Sequence, residues 1–220
     1  LAQDRPHHKI IGGLGQLTKA SFDFPIYTSI DEAPPTMDCI IDFSNAALTD
    51  DLLTYCRDHK IPLVLCTTGL TTETTNLIKE VSAVLPLFKS GNMSLGINLL
   101  SKLLKEATQI LGDQYDIEIM EKHHNRKLDA PSGTALMLAE TIKENAETPK
   151  SIVLGRSASG AKNRGEINIH AIRGGSIVGE HEVLFAGEDE TLTLSHGAYS
   201  RRVFAKGALD AADFLVLMPP

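Results

Sequence analysis

Fifteen residues from Glu121 to Ala135 combine side chains that can move protons with a turn that can bind an anion. The run reads Glu-Lys-His-His-Asn-Arg-Lys-Leu-Asp-Ala-Pro-Ser-Gly-Thr-Ala. His123 and His124 are suited to proton transfer near neutral pH, and Lys127 adds a charge that can pair with a carboxylate or donate a proton. This combination indicates a site for a small dianionic molecule that must be protonated.

The anion-binding turn lies at a predicted helix start. Ser132 is the candidate N-cap, and the residues after it have helical spacing up to Ile142. Because the free amides at a helix start bind carboxylate or phosphate, Gly133 and Thr134 are predicted to hold a substrate anion. Residues 115–120 alternate apolar with polar types, as a half-buried strand does. We therefore expect the run at a strand–loop–helix junction.

Three other interpretations of the run are open on these residues alone. A histidine pair on a strand can be a purely structural feature. A metal site is a second possibility, but neighbouring strand residues point to opposite faces, so His123 and His124 would not share one ion, and we predict no metal. A hydrolase centred on Ser132 is the third, although the serine lacks the Gly-x-Ser-x-Gly elbow.

The elements around the run predict two domains. Strands and helices alternate up to about residue 90, which indicates an α/β domain with a Rossmann-like, doubly wound parallel sheet. An amphipathic helix over 96–111 opens an α+β domain, and the strand-rich stretch over 152–196 predicts its mixed or antiparallel sheet. The predicted bounds are 1–95 for the first domain, 96–200 for the second, and 201–220 for a helix that returns to the first.

Composition excludes several classes of protein. The chain has 220 residues, of which 42% are hydrophobic and 22% charged, enough for two modest domains. A formal net charge of −7 argues against a nucleic-acid partner. We expect neither a membrane span nor a signal peptide, and we expect a cytoplasmic enzyme. Cys39, Cys56 and Cys66 show no metal spacing and are expected to be reduced thiols in the core.

At Glu121–Ala135 the chain resembles the 4-hydroxy-tetrahydrodipicolinate reductase (dihydrodipicolinate reductase) family. It carries every fixed position of that family's Glu-x-His-His-x-x-Lys-x-Asp-Ala-Pro-Ser-Gly-Thr-Ala signature. The resemblance covers nearly the whole chain, because further segments agree in order. They are Ile41–Ser44, Thr67–Gly69, Asn92–Asn98, Val178–His181 and Ser200–Arg201.

The resemblance implies an activity and a set of site residues. The expected reaction is reduction of 4-hydroxy-tetrahydrodipicolinate by NADPH or NADH in the diaminopimelate route to lysine. His123 would be the acid and Lys127 its charged partner, while the substrate dicarboxylate would be held by His124, Gly133, Thr134 and Arg201. The implied cofactor-binding residues are Phe43, Thr67, Thr68, Gly69, Asn92, Met93 and Ser94. The second domain would bind substrate and also build a homotetramer.

The beginning of the chain departs from the family pattern. We expect that the first strand and the glycine-rich phosphate loop of the dinucleotide-binding domain are absent, and that both ends of a longer protein were left out. Gly12–Gly15 is an alternative phosphate loop, but residues 9–14 are predicted as the second strand of the fold. Gly15 and Gln16 stand where NAD-selective domains carry an acidic residue, and Lys19 could approach a 2′-phosphate, so we expect NADPH preference or dual use.

Two other functions are compatible with parts of this pattern. Another Rossmann-type small-molecule dehydrogenase would share the parallel sheet but not the histidine run. A catalytically silent, assembly-forming homologue would explain the missing phosphate loop. Cys66 stands where the family often has glycine, and it either crowds the nicotinamide pocket or packs in the core.

Overall fold

The computed structural model describes residues 12–14, 22–157 and 159–218. These residues divide into two compact units. The first unit contains the residues up to Met93 together with those from Phe204 onward, and the second is Ser94–Val203. The described part of the first unit has a three-stranded and a two-stranded parallel sheet, and that of the second has a five-stranded sheet; each unit has its own hydrophobic core.

The bounds of the strands and helices follow in chain order. The strands are β1 (Gly13–Leu14), β2 (Ile26–Tyr27), β3 (Ile40–Asp42), β4 (Leu63–Leu65), β5 (Leu87–Lys89), β6 (Asp116–His123), β7 (Ser151–Leu154), β8 (Glu166–Arg173), β9 (Gly179–Ala186) and β10 (Thr191–Ala198). The α-helices are α1 (Thr49–His59), α2 (Thr72–Ser82), α3 (Leu95–Leu111), α4 (Gly133–Asn145) and α5 (Arg202–Leu215), and short 3-10 helices cover Ile30–Glu32 and Ala46–Leu48.

The first unit confirms the predicted parallel sheet with helices on both faces. Strands β3, β4 and β5 are neighbours in that order and run parallel. Helices α1 and α2 cover one face, where Leu53 and Val81 pack with Leu65. Helix α5 contributes Ala208 to a second cluster. A Cβ at residue 207 would lie 1.7 Å from the carbonyl oxygen of Met93, so only glycine allows this close approach.

The second unit confirms the predicted mixed sheet. Its strand order is β10-β9-β6-β8-β7, and β6 runs parallel to β8 but antiparallel to β9. Residues along β6 alternate between buried and half-buried, as the sequence pattern predicts. Ile117 and Ile119 form a cluster with Leu104 of α3, Leu138 of α4 and Phe185 of β9. Strand β6 is therefore central, and its inward face is covered by two helices.

Some boundaries differ from the sequence-based expectations. Strand β6 continues to His123 because its register with β8 extends to Arg173, so the first histidine of the run belongs to the strand. Strand β9 begins at Gly179, three residues after its predicted start at Ser176. Of the predicted strand over 9–14, only Gly12 to Leu14 are described, and Gly15, Gln16 and Lys19 lie outside the described residues. None of the helices in the described ranges has the length and hydropathy needed to cross a membrane.

Candidate active site

The carboxyl ends of three parallel strands gather the predicted cofactor residues of the first unit. Phe43 follows β3, Thr67, Thr68 and Gly69 follow β4, and the segment with Asn92 and Met93 follows β5. A Cβ on Gly91 would lie 3.8 Å from Cγ2 of Thr68, so the loops after β4 and β5 are neighbours. Doubly wound sheets bind their ligands at this edge.

The residues at the same edge have the chemistry to hold a nicotinamide group. Phe43 is 55% exposed. Gly69 has φ 74°, and a Cβ there would meet no atom of the described residues within 4 Å. Buried Asp42 holds the neighbouring backbone, because its carboxylate accepts a hydrogen bond from the Thr67 hydroxyl at 2.6 Å and one from the Ser44 amide at 2.9 Å. The edge therefore combines an exposed aromatic side chain with open backbone at Gly69 and a fixed hydroxyl at Thr67.

The three cysteines of the first unit pack in or against its hydrophobic clusters. Cys66 is buried and packs with Val64 and Met93, which supports the packing alternative for this cysteine. Burial raises the pKa of its thiol to about 12. Cys39 and Cys56 are also free thiols with pKa values that burial raises to about 12. Ser94 belongs to the second unit, where its side chain accepts a hydrogen bond from the Ile97 amide and caps α3.

In the second unit, strand β6 presents His123 to the interior, beside Glu121. Nδ1 of His123 lies 2.6 Å from Oε2 of Glu121. The ring of His123 also meets the ring of His181 edge-on, with 5.2 Å between the ring centroids. His123 is 8% exposed. The structure thus gives the proposed acid a carboxylate partner.

The carboxylate of Glu121 is fully buried and fully hydrogen-bonded. The Arg173 guanidinium donates to both of its oxygens, at 2.8 Å to Oε2 and 2.7 Å to Oε1. The amide of Ser132 donates to Oε1 at 3.0 Å. Burial opposes ionisation of Glu121, but the hydrogen bonds from Arg173, His123 and Ser132 outweigh it, so the pKa of this carboxyl lies below its ordinary value.

Ser132 begins helix α4, as the sequence predicts. Its hydroxyl accepts a hydrogen bond from the Ala135 amide at 3.2 Å, and it also lies 3.0 Å from Nε2 of His181. Burial lowers the pKa of His181 to about 4, so this ring is neutral at physiological pH. Beyond Ser132, a Cβ on Gly133 would have no atom of the described residues within 4 Å. The helix start is therefore open to an anion at Gly133.

His124 lies among positive charges. Burial, followed by the charges of Arg126 and Arg201, lowers the pKa of its ring, and Lys127 acts in the same direction. Nδ1 of His124 is buried and has no hydrogen-bond partner among the described residues. Lys127 pairs with Asp129 at 2.8 Å. The positive charges of Arg126, Arg201 and Lys127 beside a ring with an unused nitrogen suit a carboxylate ligand.

The structure brings the predicted substrate and proton-transfer residues into the second unit and adds residues that the sequence did not assign. Arg173 and His181 received no predicted role, and Glu121 was only part of the signature. The one available signal was the family segment Val178–His181. Among the described residues, no cluster of three or more His, Cys, Asp or Glu side chains could hold a metal ion.

These features define a class of protein: a two-unit α/β protein with a dinucleotide-binding type of parallel sheet in one unit and a buried histidine–carboxylate pair beside a helix start in the other. Comparison with known families agrees. Residues 2–93 match the family described as dihydrodipicolinate reductase, N-terminus, and residues 96–219 match dihydrodipicolinate reductase, C-terminus. The chain therefore belongs to the dihydrodipicolinate reductase family.

Individual relatives support the same conclusion. The 4-hydroxy-tetrahydrodipicolinate reductase of Clostridium tetani is 48% identical over 207 residues, which cover 94% of this chain and 81% of the relative. The enzyme of the same name from Caldanaerobacter subterraneus is 46% identical over 221 residues, covering 100% of this chain and 87% of the relative.

Solved structures show the same fold. Dipicolinate-bound dihydrodipicolinate reductase from Paenisporosarcina sp. TG-14 superposes with a TM-score of 0.80 and 25% identity, covering 98% of this chain and 87% of that chain. Myo-inositol 2-dehydrogenase from Lactobacillus plantarum has a TM-score of 0.62 at 9% identity, covering 98% of this chain and 83% of that chain. The second likeness concerns the fold alone.

The low pKa of His181 predicts a stability that falls in mild acid. Between the ordinary value of 6.5 and about 4, the unfolded chain binds a proton that the folded chain does not. Stability is therefore fully present above pH 6.5 and is lost as the pH falls below it. We expect this group to remove about 2 kcal/mol between pH 7 and pH 5.

The test is urea unfolding of the wild type and of His181→Gln at both pH values. Glutamine can keep the hydrogen bond to Ser132 but does not titrate, so the variant should lose less stability on acidification than the wild type. Equal losses in both proteins would contradict the assignment of this effect to His181.

Proposed function

We propose that this chain reduces 4-hydroxy-tetrahydrodipicolinate to tetrahydrodipicolinate in the diaminopimelate route to lysine. In the balanced reaction, the substrate, NAD(P)H and one proton give the product, NAD(P)⁺ and water. The observation that supports the proposal is the buried Glu121–His123 pair, which lies in the same unit as the open helix start at Gly133. The relatives described above are named for this activity.

The first unit is proposed to hold the cofactor. A nicotinamide cofactor, when bound, supplies the hydride that reduces C4 of the substrate ring. The side chains and backbone proposed to hold it come from the carboxyl ends of the parallel strands, where Asp42 fixes the loop after β4. They are Phe43, Thr67, Thr68, Gly69, Asn92 and Met93, with Ser94 from the start of the second unit.

His123 is proposed to supply the proton. An ionised carboxylate only accepts hydrogen bonds, so the contact with Glu121 requires a proton on Nδ1 and leaves Nε2 as the nitrogen that exchanges its proton. Lys127 is the proposed charged partner, and its pairing with Asp129 keeps its ammonium group near the loop that follows β6.

The substrate carboxylates are proposed to be bound by His124, Gly133, Thr134 and Arg201. Amides at the start of α4 favour one negative charge, and the cationic surroundings of His124 favour another. A related reductase, from Paenisporosarcina sp. TG-14, has been solved with dipicolinate bound. A small dicarboxylate is therefore the proposed substrate class.

The assembly and location of the protein are further proposals. The mixed sheet of the second unit is proposed to build a homotetramer, as in the family that the sequence resembles. Apolar residues on both faces of this sheet support the proposal: Ile172 is 46% exposed, whereas Ile167 on the same strand is buried. Location in the cytosol stays a prediction, supported by three free thiols.

Replacement of His123 tests the proposed acid. In His123→Gln we expect kcat to fall about 100-fold with KM for the substrate little changed, because a positioned acid acts in the transition state. Lys127→Ala should damage both kcat and KM, since its charge also binds substrate. Steady-state kinetics of the purified variants measure both constants.

Lys143→Ala is the matched control for Lys127→Ala. Lys143 forms a surface pair with Glu140 on α4, and its loss should leave both constants near the wild-type values. Wild-type turnover in His123→Gln would overturn the assignment of the acid.

The expected cofactor preference is NADPH, or use of both cofactors. It rests on the absence of an acidic residue at Gly15 and Gln16 and on the charge of Lys19. Michaelis constants for NADPH and NADH, measured at a saturating concentration of the dicarboxylate substrate, provide the test. A strong preference for NADH would contradict the expectation.

A further inference from the structure

Glu121 has more interactions than a counter-ion for His123 needs. Its side chain is fully buried, where an ionised carboxylate is costly unless hydrogen bonds satisfy it. Each of its oxygens accepts two hydrogen bonds, one of them from Arg173. The other hydrogen bond to Oε2 comes from His123, and the other hydrogen bond to Oε1 comes from the amide of Ser132.

The first of these bonds controls the ring of His123. Oε2 accepts from Nδ1 at 2.6 Å, which fixes both the tautomer and the direction in which Nε2 points. Gly179 on the adjacent strand β9 keeps space beside that nitrogen, because a Cβ at this position would lie 3.1 Å from Nε2. The proton-carrying atom is therefore set by Glu121 on one side and left uncrowded on the other.

The second bond controls the helix start. Oε1 accepts from the amide of Ser132 at 3.0 Å, and the next residues, Gly133 and Thr134, carry the amides proposed to bind a substrate carboxylate. The hydroxyl of Ser132 is held separately by His181. The orientation of the first turn of α4 thus depends on the same carboxylate that orients His123.

We propose that Glu121 is a positioning residue that couples the proton donor to the anion site, with Oε2 holding His123 and Oε1 holding Ser132. Arg173 fixes the carboxylate in this bridging position, and it also donates to the backbone oxygen of Asp129 at 2.7 Å. The proposal rests on the proposed function for its kinetic part. Its binding part requires neither cofactor nor turnover.

The test is Glu121→Gln in the wild type and in the His123→Gln background. Dipicolinate serves as the binding probe, with its Kd measured by calorimetry. In the wild type, Glu121→Gln should lower kcat about 100-fold, because the tautomer of His123 is no longer fixed. It should also raise the Kd for dipicolinate about tenfold, because the helix start loses an ionised partner.

The effects of Glu121→Gln on kcat and on the Kd for dipicolinate should separate in the double variant. With His123 already replaced, adding Glu121→Gln should leave kcat unchanged within about twofold, since residues that act as a unit are not additive. The tenfold rise in Kd should persist in that background. Equal kcat losses in both backgrounds, or an unchanged Kd, would overturn the proposal.

Two further variants test whether the effect of Glu121 comes from its geometry, rather than from its charge or from a general loss of folding. Glu121→Asp keeps a counter-charge for Arg173 but is one methylene shorter, so it should not reach both partners and should not restore kcat; full restoration would sink the proposal. Glu118→Gln is the matched control on the same strand, where Glu118 pairs with Lys162 at 2.5 Å and His170 at 2.7 Å on the opposite face. It should change kcat and Kd less than about twofold.

Folding and assembly of each variant are compared with the wild type by circular dichroism and sedimentation. A wild type that binds dipicolinate but does not reduce the substrate would refute the proposed function alone. In that case the change in Kd caused by Glu121→Gln would still decide the role of Glu121.

Discussion

The hydrogen bonds of the buried Glu121 carboxylate are the interaction on which the second unit depends. An ionised group without water must find all its partners within the protein, and here they come from β6, from β8 and from the start of α4. The hydrogen bonds to this carboxylate therefore bring β6, β8 and the start of α4 together. The proposed proton donor, His123, and the amides proposed to bind the substrate anion are consequently held by the same group.

Local sequence features determine the structure of β6 and the start of α4. Alternation along β6 turns Glu121 and His123 toward the same interior face, because they are two residues apart on a strand. Ser132 ends the loop by capping α4, whose buried residues Leu138 and Ile142 attach the helix to the core. In the first unit, β3, β4 and β5 run parallel, so the loops that follow them lie at one edge of the sheet.

The sequence could predict those structural features that are determined by residues close together in the chain. The strand–loop–helix junction, the cap at Ser132, the parallel sheet and the mixed sheet all follow from local patterns. It could not predict Arg173 or His181 as partners, because they contact Glu121 and Ser132 across separations of 52 and 49 residues. Those contacts depend on how β8 and β9 pair with β6, and strand pairing and register are non-local properties.

The most direct measurement of the central claim is the protonation of the His123 ring in the wild type. Nitrogen-15 NMR of histidine-labelled protein distinguishes the two ring nitrogens without any turnover, and His123→Gln assigns the signals. Our account predicts that Nδ1 carries a proton and donates it in the hydrogen bond to Glu121. A neutral ring with its proton on Nε2 and a bare Nδ1 would contradict it.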